Sequence, residues 1–165
     1  MVYSIYAEMY LSGPFTITQG GYTLEFYGLV KKRFDLVSGS TVTWSGDPLA
    51  ADMDIKARYI SESASYPLVA NATGVLSEVE RNRLQSPLPY EVLININGEV
   101  KKPEITFGLD LDRTYRNSYP QVNDQLDRLA EATHADERNR QVFGLLVLNS
   151  FIQDESSGGA PSSGI

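Results

Sequence analysis

Residues 51–60 read ADMDIKARYI. On an extended chain Met53, Ile55, Ala57 and Tyr59 fall on one side, and Asp52, Asp54, Lys56 and Arg58 on the other. Strand side chains alternate between faces with period two. These ten residues therefore predict a strand with one apolar face and one face in water.

The same period holds on either side. Toward the N-terminus it marks Tyr3–Leu11, Phe15–Thr18, Tyr22–Tyr27, Arg33–Val37 and Thr41–Trp44, with turn signals at Gly13-Pro14, Gly20-Gly21, Gly28, Ser38-Gly39 and Gly46-Asp47-Pro48. Toward the C-terminus it returns at Tyr90–Asn97 and Pro103–Leu111, with Gly98 between them. Short alternating strands with frequent turns predict a mainly β fold, a curved antiparallel or meandering sheet with one apolar face. Between the two groups, 61–89 is polar and broken by Pro67, Gly74, Pro87 and Pro89. It reads as a long surface excursion, with Ser77 and Glu80 spaced as a capping box.

After Leu111 the period changes. Ser118-Tyr119-Pro120-Gln121 is spaced as a capping box, and Val122, Leu126 and Leu129 follow at helical intervals. Thr133 or Asp136 is placed to cap a second helix, Glu137–Ile152, whose apolar residues wrap most of its circumference. Such a helix is normally buried, so it packs on the sheet, plugs an open end or docks on a partner. The expected organisation is a sheet region over 1–112, two C-terminal helices over 113–152, and a Ser/Gly-rich flexible linker over 153–165.

Composition narrows the function. The 165 residues carry 14 Lys+Arg against 21 Asp+Glu, a net charge of −7. That argues against a phosphate-backbone binder, so no nucleic acid is expected. Without cysteine there is no disulfide, thiolate metal site or thiol nucleophile. With a single histidine, His134, a multi-histidine metal site within the chain is excluded, and its polar setting between the helices makes it a solvated cap residue. The most apolar run, Val142–Leu148, is far short of the ~18 residues of a spanning helix. Residues 1–20 lack a basic start followed by an apolar core, so an address signal is expected outside this stretch. Met1 running straight into strand-like sequence, and the tail from Asp154, read as the ends of a piece of a longer chain.

Few residues suggest chemistry. Asp52-x-Asp54 and Asp110-x-Asp112 could hold a metal or serve as acid and base, the route to a carboxylate-based hydrolase. Alternation instead puts them on the wet face of strands, and no metal or cofactor is expected. No nucleophile elbow, phosphate loop or dinucleotide fingerprint occurs. Asn71-Ala72-Thr73 matches a glycosylation sequon, which matters only in a secretory setting. The apolar face has two readings, the closed core of a structural spacer or an open groove for an acyl chain, and both need the same alternation.

Three blocks resemble a known family. Gly13-x-Phe15, Gly21-Tyr22-x-Leu24, Arg33-Phe34-x-Leu36-x-x-Gly39-Ser40-x-Val42-x-Trp44-x-Gly46-Asp47-Pro48 and Asp54-Ile55-x-Ala57 form the first. Val92-x-Ile94-x-Ile96-x-Gly98 with Pro103-x-Ile105-x-Phe107-x-Leu109 is the second, and Glu137–Asn149 is the third. In order and spacing they resemble the C-terminal domain of TamB-type translocation and assembly proteins over most of 13–152, while 61–89 does not map onto the pattern. The resemblance implies a non-enzymatic periplasmic part of a Gram-negative envelope protein, anchored in the inner membrane by a segment outside this stretch. It implies a β-taco with an apolar groove, as in AsmA-like and bridge-type lipid-transfer proteins, and a role in phospholipid transport to, or protein assembly in, the outer membrane. The implied partners are a TamA-like outer-membrane barrel and phospholipid acyl chains. Exposed edges also allow a dimer of the isolated piece.

Expected groove residues are Ile5, Met9, Leu24, Phe26, Leu36, Trp44, Met53, Ile55, Ile94, Ile96, Ile105 and Phe107. Expected docking residues on the apolar helix are Val142, Leu145, Leu146, Leu148 and Phe151.

Overall fold

The computed structural model describes residues 8–26, 28, 30–72 and 75–154, with Phe26 as backbone only. Ile5 therefore lies outside the described residues, as do Thr73 of the sequon and the tail from residue 155.

Among the described residues seven strands form one antiparallel sheet: β1 Leu11–Ile17, β2 Gly21–Phe26, β3 Val30–Leu36, β4 Ser40–Gly46, β5 Asp52–Ala64, β6 Pro87–Glu99 and β7 Glu104–Leu111. The register shows a simple meander beneath the apparent branching. β3 and β4 both run antiparallel to β5 along the same edge, with Leu36 opposite Ala57 and Thr41 opposite Asp54. They are one bent ribbon carrying two extra residues at the bend. β2 and β1 pair with β3 and β4 in turn, Gly21 opposite Asp35 and Ile17 opposite Ser40, so they form a second bent ribbon. The ladder order is therefore β1–β2, β3–β4, β5, β6, β7, each beside its neighbour in sequence.

The bend has a local cause. Gly39 at φ +93° takes a conformation open mainly to glycine. Buried Ser40 then repairs the ladder: the Lys56 N–H donates to Ser40 Oγ (3.0 Å), and the Ser40 hydroxyl donates to the Val37 carbonyl (2.7 Å). Extra residues of this kind bend a strand and strengthen its twist, which gives the sheet its curvature. Two turn signals were misleading. Gly13-Pro14 lies inside β1, where proline is tolerated because β1 is an edge strand. Ser38-Gly39 bends a ribbon and does not reverse it.

Among the described residues there are five helices, two between β5 and β6 and three after β7: α1 Tyr66–Ala70, α2 Glu78–Gln85, α3 Arg113–Ser118, α4 Pro120–Ala130 and α5 Ala135–Phe143, with a 3-10 turn at Ala132–His134 and a π-helical turn at Gly144–Leu148. The excursion is shorter and more buried than expected. β5 continues to Ala64, β6 starts at Pro87, and α1 and α2 between them contribute Leu68, Val69 and Leu84 to the core. The Ser77 capping box is formed, with Ser77 Oγ accepting from the Glu80 N–H and the Glu80 carboxylate accepting from the Ser77 N–H. The one expected at Ser118 is not: Ser118 Oγ bonds the Thr114 carbonyl, and α4 begins from Tyr119 with Pro120 at its first position. The C-terminal helices number three rather than two, because Asp112 caps the extra helix α3 through the Thr114 N–H (2.9 Å).

The helices cover only part of the inner face. Val122, Leu126 and Leu129 of α4 join Val142, Leu145 and Leu146 from α5 and the π-turn against Tyr90, Val92, Leu109 and Leu111 of β6 and β7. Arg128 ties α4 to α5 through a bidentate pair with Glu137 (2.7 and 2.6 Å). Arg138 donates to the Phe107 carbonyl on β7 (2.9 Å) and to the Leu129 carbonyl of α4 (2.6 Å).

The expected helix to Ile152 stops at the π-turn, where Asn149 adopts φ +54° and the chain turns back. The returning backbone is held by side chains. Buried Gln141 accepts from the Ile152 N–H (2.8 Å) and donates to its carbonyl (2.9 Å), while Asn71 donates to the same carbonyl (3.0 Å). Asp154, expected in the linker, is fixed by Asn71 Oδ1 (2.9 Å) and Arg140 (2.7 Å).

Candidate functional site

On the inner face, register fixes which side chains share a row. Ile55, Ile96 and Ile105 form one row across β5, β6 and β7; Ala57, Ile94 and Phe107 form the next, with Leu36 opposite Ala57. Phe34, paired with Tyr22 of β2, lies beside Tyr59, with ring centroids 5.6 Å apart. Helices roof this face over Val92 and Leu109 but leave the adjoining rows open. The result is a trough of about 530 Å³ lined by Gly21, Tyr22, Leu24, Phe34, Leu36, Ile55, Ala57, Ile94, Ile96, Ile105 and Phe107.

The trough runs across the strands. From β2 to β7 it crosses four interstrand gaps, about 19 Å at ~4.8 Å each. It ends at the β1–β2 ribbon and at β7, which have no further strand partner among the described residues. Its lining is aliphatic and aromatic, with the Tyr22 hydroxyl as a polar tip. Continuous uncovered apolar surface of this kind ordinarily marks a ligand or partner site.

Seven of the expected groove residues meet here: Leu24, Leu36, Ile55, Ile94, Ile96, Ile105 and Phe107. Met53 and Trp44 share the inner face but lie outside the trough lining, and Trp44 donates its indole N–H to the Pro48 carbonyl (3.0 Å). Met9 is exposed beside Asp47–Leu49, away from the trough, and the Phe26 side chain lies outside the described residues. Sequence reasoning omitted Phe34 and Ala57, although both carry the right alternation, as well as Tyr22 and the Gly21 backbone.

The helix residues expected to dock on a partner are mostly occupied already. Val142, Leu145, Leu146 and Phe151 are core residues, and Phe151 stands edge-on to Tyr90 at 4.6 Å. The sheet claims them because the chain reversal at Asn149 folds Phe151 inward. Leu148 alone of that set is exposed, at 63%, and Phe143, five residues earlier, is exposed as well.

The carboxylate pairs have other surroundings. Asp52 and Asp54 are exposed on the outer face. Asp110 is bound by Arg116 (2.9 Å), and Asp112 caps α3, whose Thr114 N–H holds its carboxyl below the ordinary range. His134 is the residue before α5, with Nδ1 3.7 Å from Glu137. Among the described residues no three His, Asp or Glu side chains are grouped to hold a metal, and no helix is long and apolar enough to cross a membrane.

No curated protein and no solved structure gave a match. A family model described as the TamB C-terminal domain matches residues 3–164. The match spans almost the whole chain, including the meander, the open inner face and the helices that partly roof it. The chain belongs to the TamB C-terminal domain family, whose members are parts of cell-envelope proteins.

Proposed function

We propose that this domain is a non-enzymatic periplasmic section of a TamB-like protein that carries phospholipid acyl chains along its trough toward the outer membrane. The observation that carries this reading is the apolar trough, left uncovered by the described residues, crossing the sheet and ending at strands with no further strand partner among them. Each CH₂ moved from water into such a surface gains about 0.8 kcal/mol, so hydrocarbon is held without polar chemistry and slides without breaking specific bonds. A trough about 19 Å long exceeds the ~15 Å hydrocarbon half-thickness of a bilayer, enough for one acyl chain lengthwise. An inner-membrane anchor outside this stretch and a TamA-like barrel at the outer membrane complete the proposed path. The outer strands, unpaired on their far side among the described residues, offer that barrel a pairing edge.

The test is a fluorescent fatty-acid probe titrated onto the domain. Saturable binding that is lost in Ile96→Asp, with the thermal transition retained, is expected. Equal binding by Ile96→Asp and the parent would overturn the trough as the site.

A further inference from the structure

Among the described strand residues, one charged side chain faces inward. Along all seven strands, every inward position among the described residues is apolar, tyrosine, glycine or serine, and so uncharged, except Lys32 of β3. Lys32 pairs across the ladder with Leu24, a trough residue. Its ammonium stands 5.4 Å from the centroid of the Tyr59 ring, which confirms that the side chain turns inward. N-terminal to Asp35 the β3 register with β5 is lost, so Lys32 sits where the ribbon diverges from β5, beside the Tyr59 ring. Its neighbours Lys31 and Arg33 face outward, where Lys31 pairs with Glu25 (3.7 Å). No carboxylate among the described residues lies within 4.0 Å of the Lys32 ammonium.

This gives the trough a direction. At the β2–β3 end are an ammonium without a carboxylate partner among the described residues and the Tyr22 hydroxyl; at the β7 end are Ile105 and Phe107, where the Arg138 guanidinium commits Nε and Nη1 to the Phe107, Leu129 and Glu131 carbonyls. An aromatic face holds a cation in place without neutralising it, leaving its donors for an anion. We propose that Lys32 binds the phosphate of an anionic glycerophospholipid whose acyl chain lies in the trough, pointing toward β7. This rests on the lipid-carrying reading above and adds headgroup selectivity and orientation. The chain's net charge of −7 repels anions at long range, so a preference for an anionic lipid must come from a local group.

The experiment measures displacement of a neutral solvatochromic dye from the trough by two single-chain lipids below their micelle concentrations. One is 1-palmitoyl-lysophosphatidylglycerol; the other is uncharged 1-monopalmitoylglycerol. The parent is expected to bind the anionic lipid about fivefold more tightly, the scale of one charge-assisted contact at a partly exposed site. Lys32→Met should bind the two equally, with affinity for the neutral lipid unchanged, and Lys32→Arg should restore the preference. Displacement by both lipids without preference in the parent overturns the Lys32 assignment while leaving the trough intact. Displacement by neither overturns the trough reading itself. Loss of the anionic preference in 10 mM inorganic phosphate, set against 10 mM chloride, would show free phosphate to be the ligand and also overturn the assignment.

Discussion

The helical roof divides one sheet face into a folding half and a ligand half, and β7 allows a matched test of that division. Ile105 and Leu109 lie on the same face of the same strand, and each loses three carbons on mutation to alanine. Leu109 is 7% exposed beneath α4 and α5, whereas Ile105 is 52% exposed in the trough. Three fully buried carbons are worth roughly 2.4 kcal/mol at about 0.8 each. Leu109→Ala adds a cavity term, because close-packed helices cannot collapse into the gap, bringing the loss to about 3–4 kcal/mol. Ile105→Ala gives up about half of the transfer term and creates no cavity, so its loss is about 1 kcal/mol. Urea unfolding should separate the variants by about 2–3 kcal/mol, and their melting temperatures by about 4–12 °C. Fatty-acid probe affinity should show the opposite order, weakened by Ile105→Ala and kept by Leu109→Ala under folded conditions. Equal stability losses, within about 0.5 kcal/mol, would mean that both ends of β7 share one core and that the division is wrong.

Three other substitutions probe the roof. Gly144→Ala in a helical position would ordinarily stabilise by about 1 kcal/mol. Here the new Cβ would lie 2.7 Å from the Ser150 carbonyl oxygen, so urea unfolding should show a loss of about 1–3 kcal/mol. Gln141→Leu should cost about 1–3 kcal/mol, because it leaves the Ile152 N–H without its acceptor; faster hydrogen exchange at the Ile152 amide checks the cause. Hydrogen bonds from Arg128 hold the Glu137 carboxyl below its ordinary value. A depressed folded pKa gives stability that is full above the unfolded value and disappears as pH falls through the folded one. Glu137→Gln should therefore flatten the acid limb of the stability profile below about pH 4, near the ordinary carboxylate value, and leave the neutral-pH slope unchanged.

Much of the sheet was legible because period-two alternation reports facing directly. Ala51–Ile60 became the central strand β5, and Ile55, Ile94, Ile96, Ile105 and Phe107 converged because each occupies an inward position on a well-registered strand. The bends were not legible, since Gly39 signals a positive φ without saying whether the chain reverses or only kinks. That depended on Ser40 finding Lys56, a residue 16 positions away. The split between roofed and open halves was equally hidden: Leu109 and Ile105 look alike in the sequence, and only the placement of α4 and α5 distinguishes them. Four of the five expected docking residues lie in the core for a related reason. An apolar helix signals burial without naming the surface that buries it, and here Asn149 turns the chain so that Phe151 meets Tyr90. Lys32 drew no notice as one charge in the basic run Lys31-Lys32-Arg33; its inward aim follows from pairing with Leu24.

Native mass spectrometry of the purified domain, with lipid extraction from the same sample, bears on the open trough without labels or probes. The expected spectrum shows a fixed complement of one phospholipid or fatty acid per chain, absent when Ile55 and Ile96 are both changed to Lys. A bare protein mass that stays bare after incubation with phospholipid vesicles would contradict the trough as an acyl-chain site.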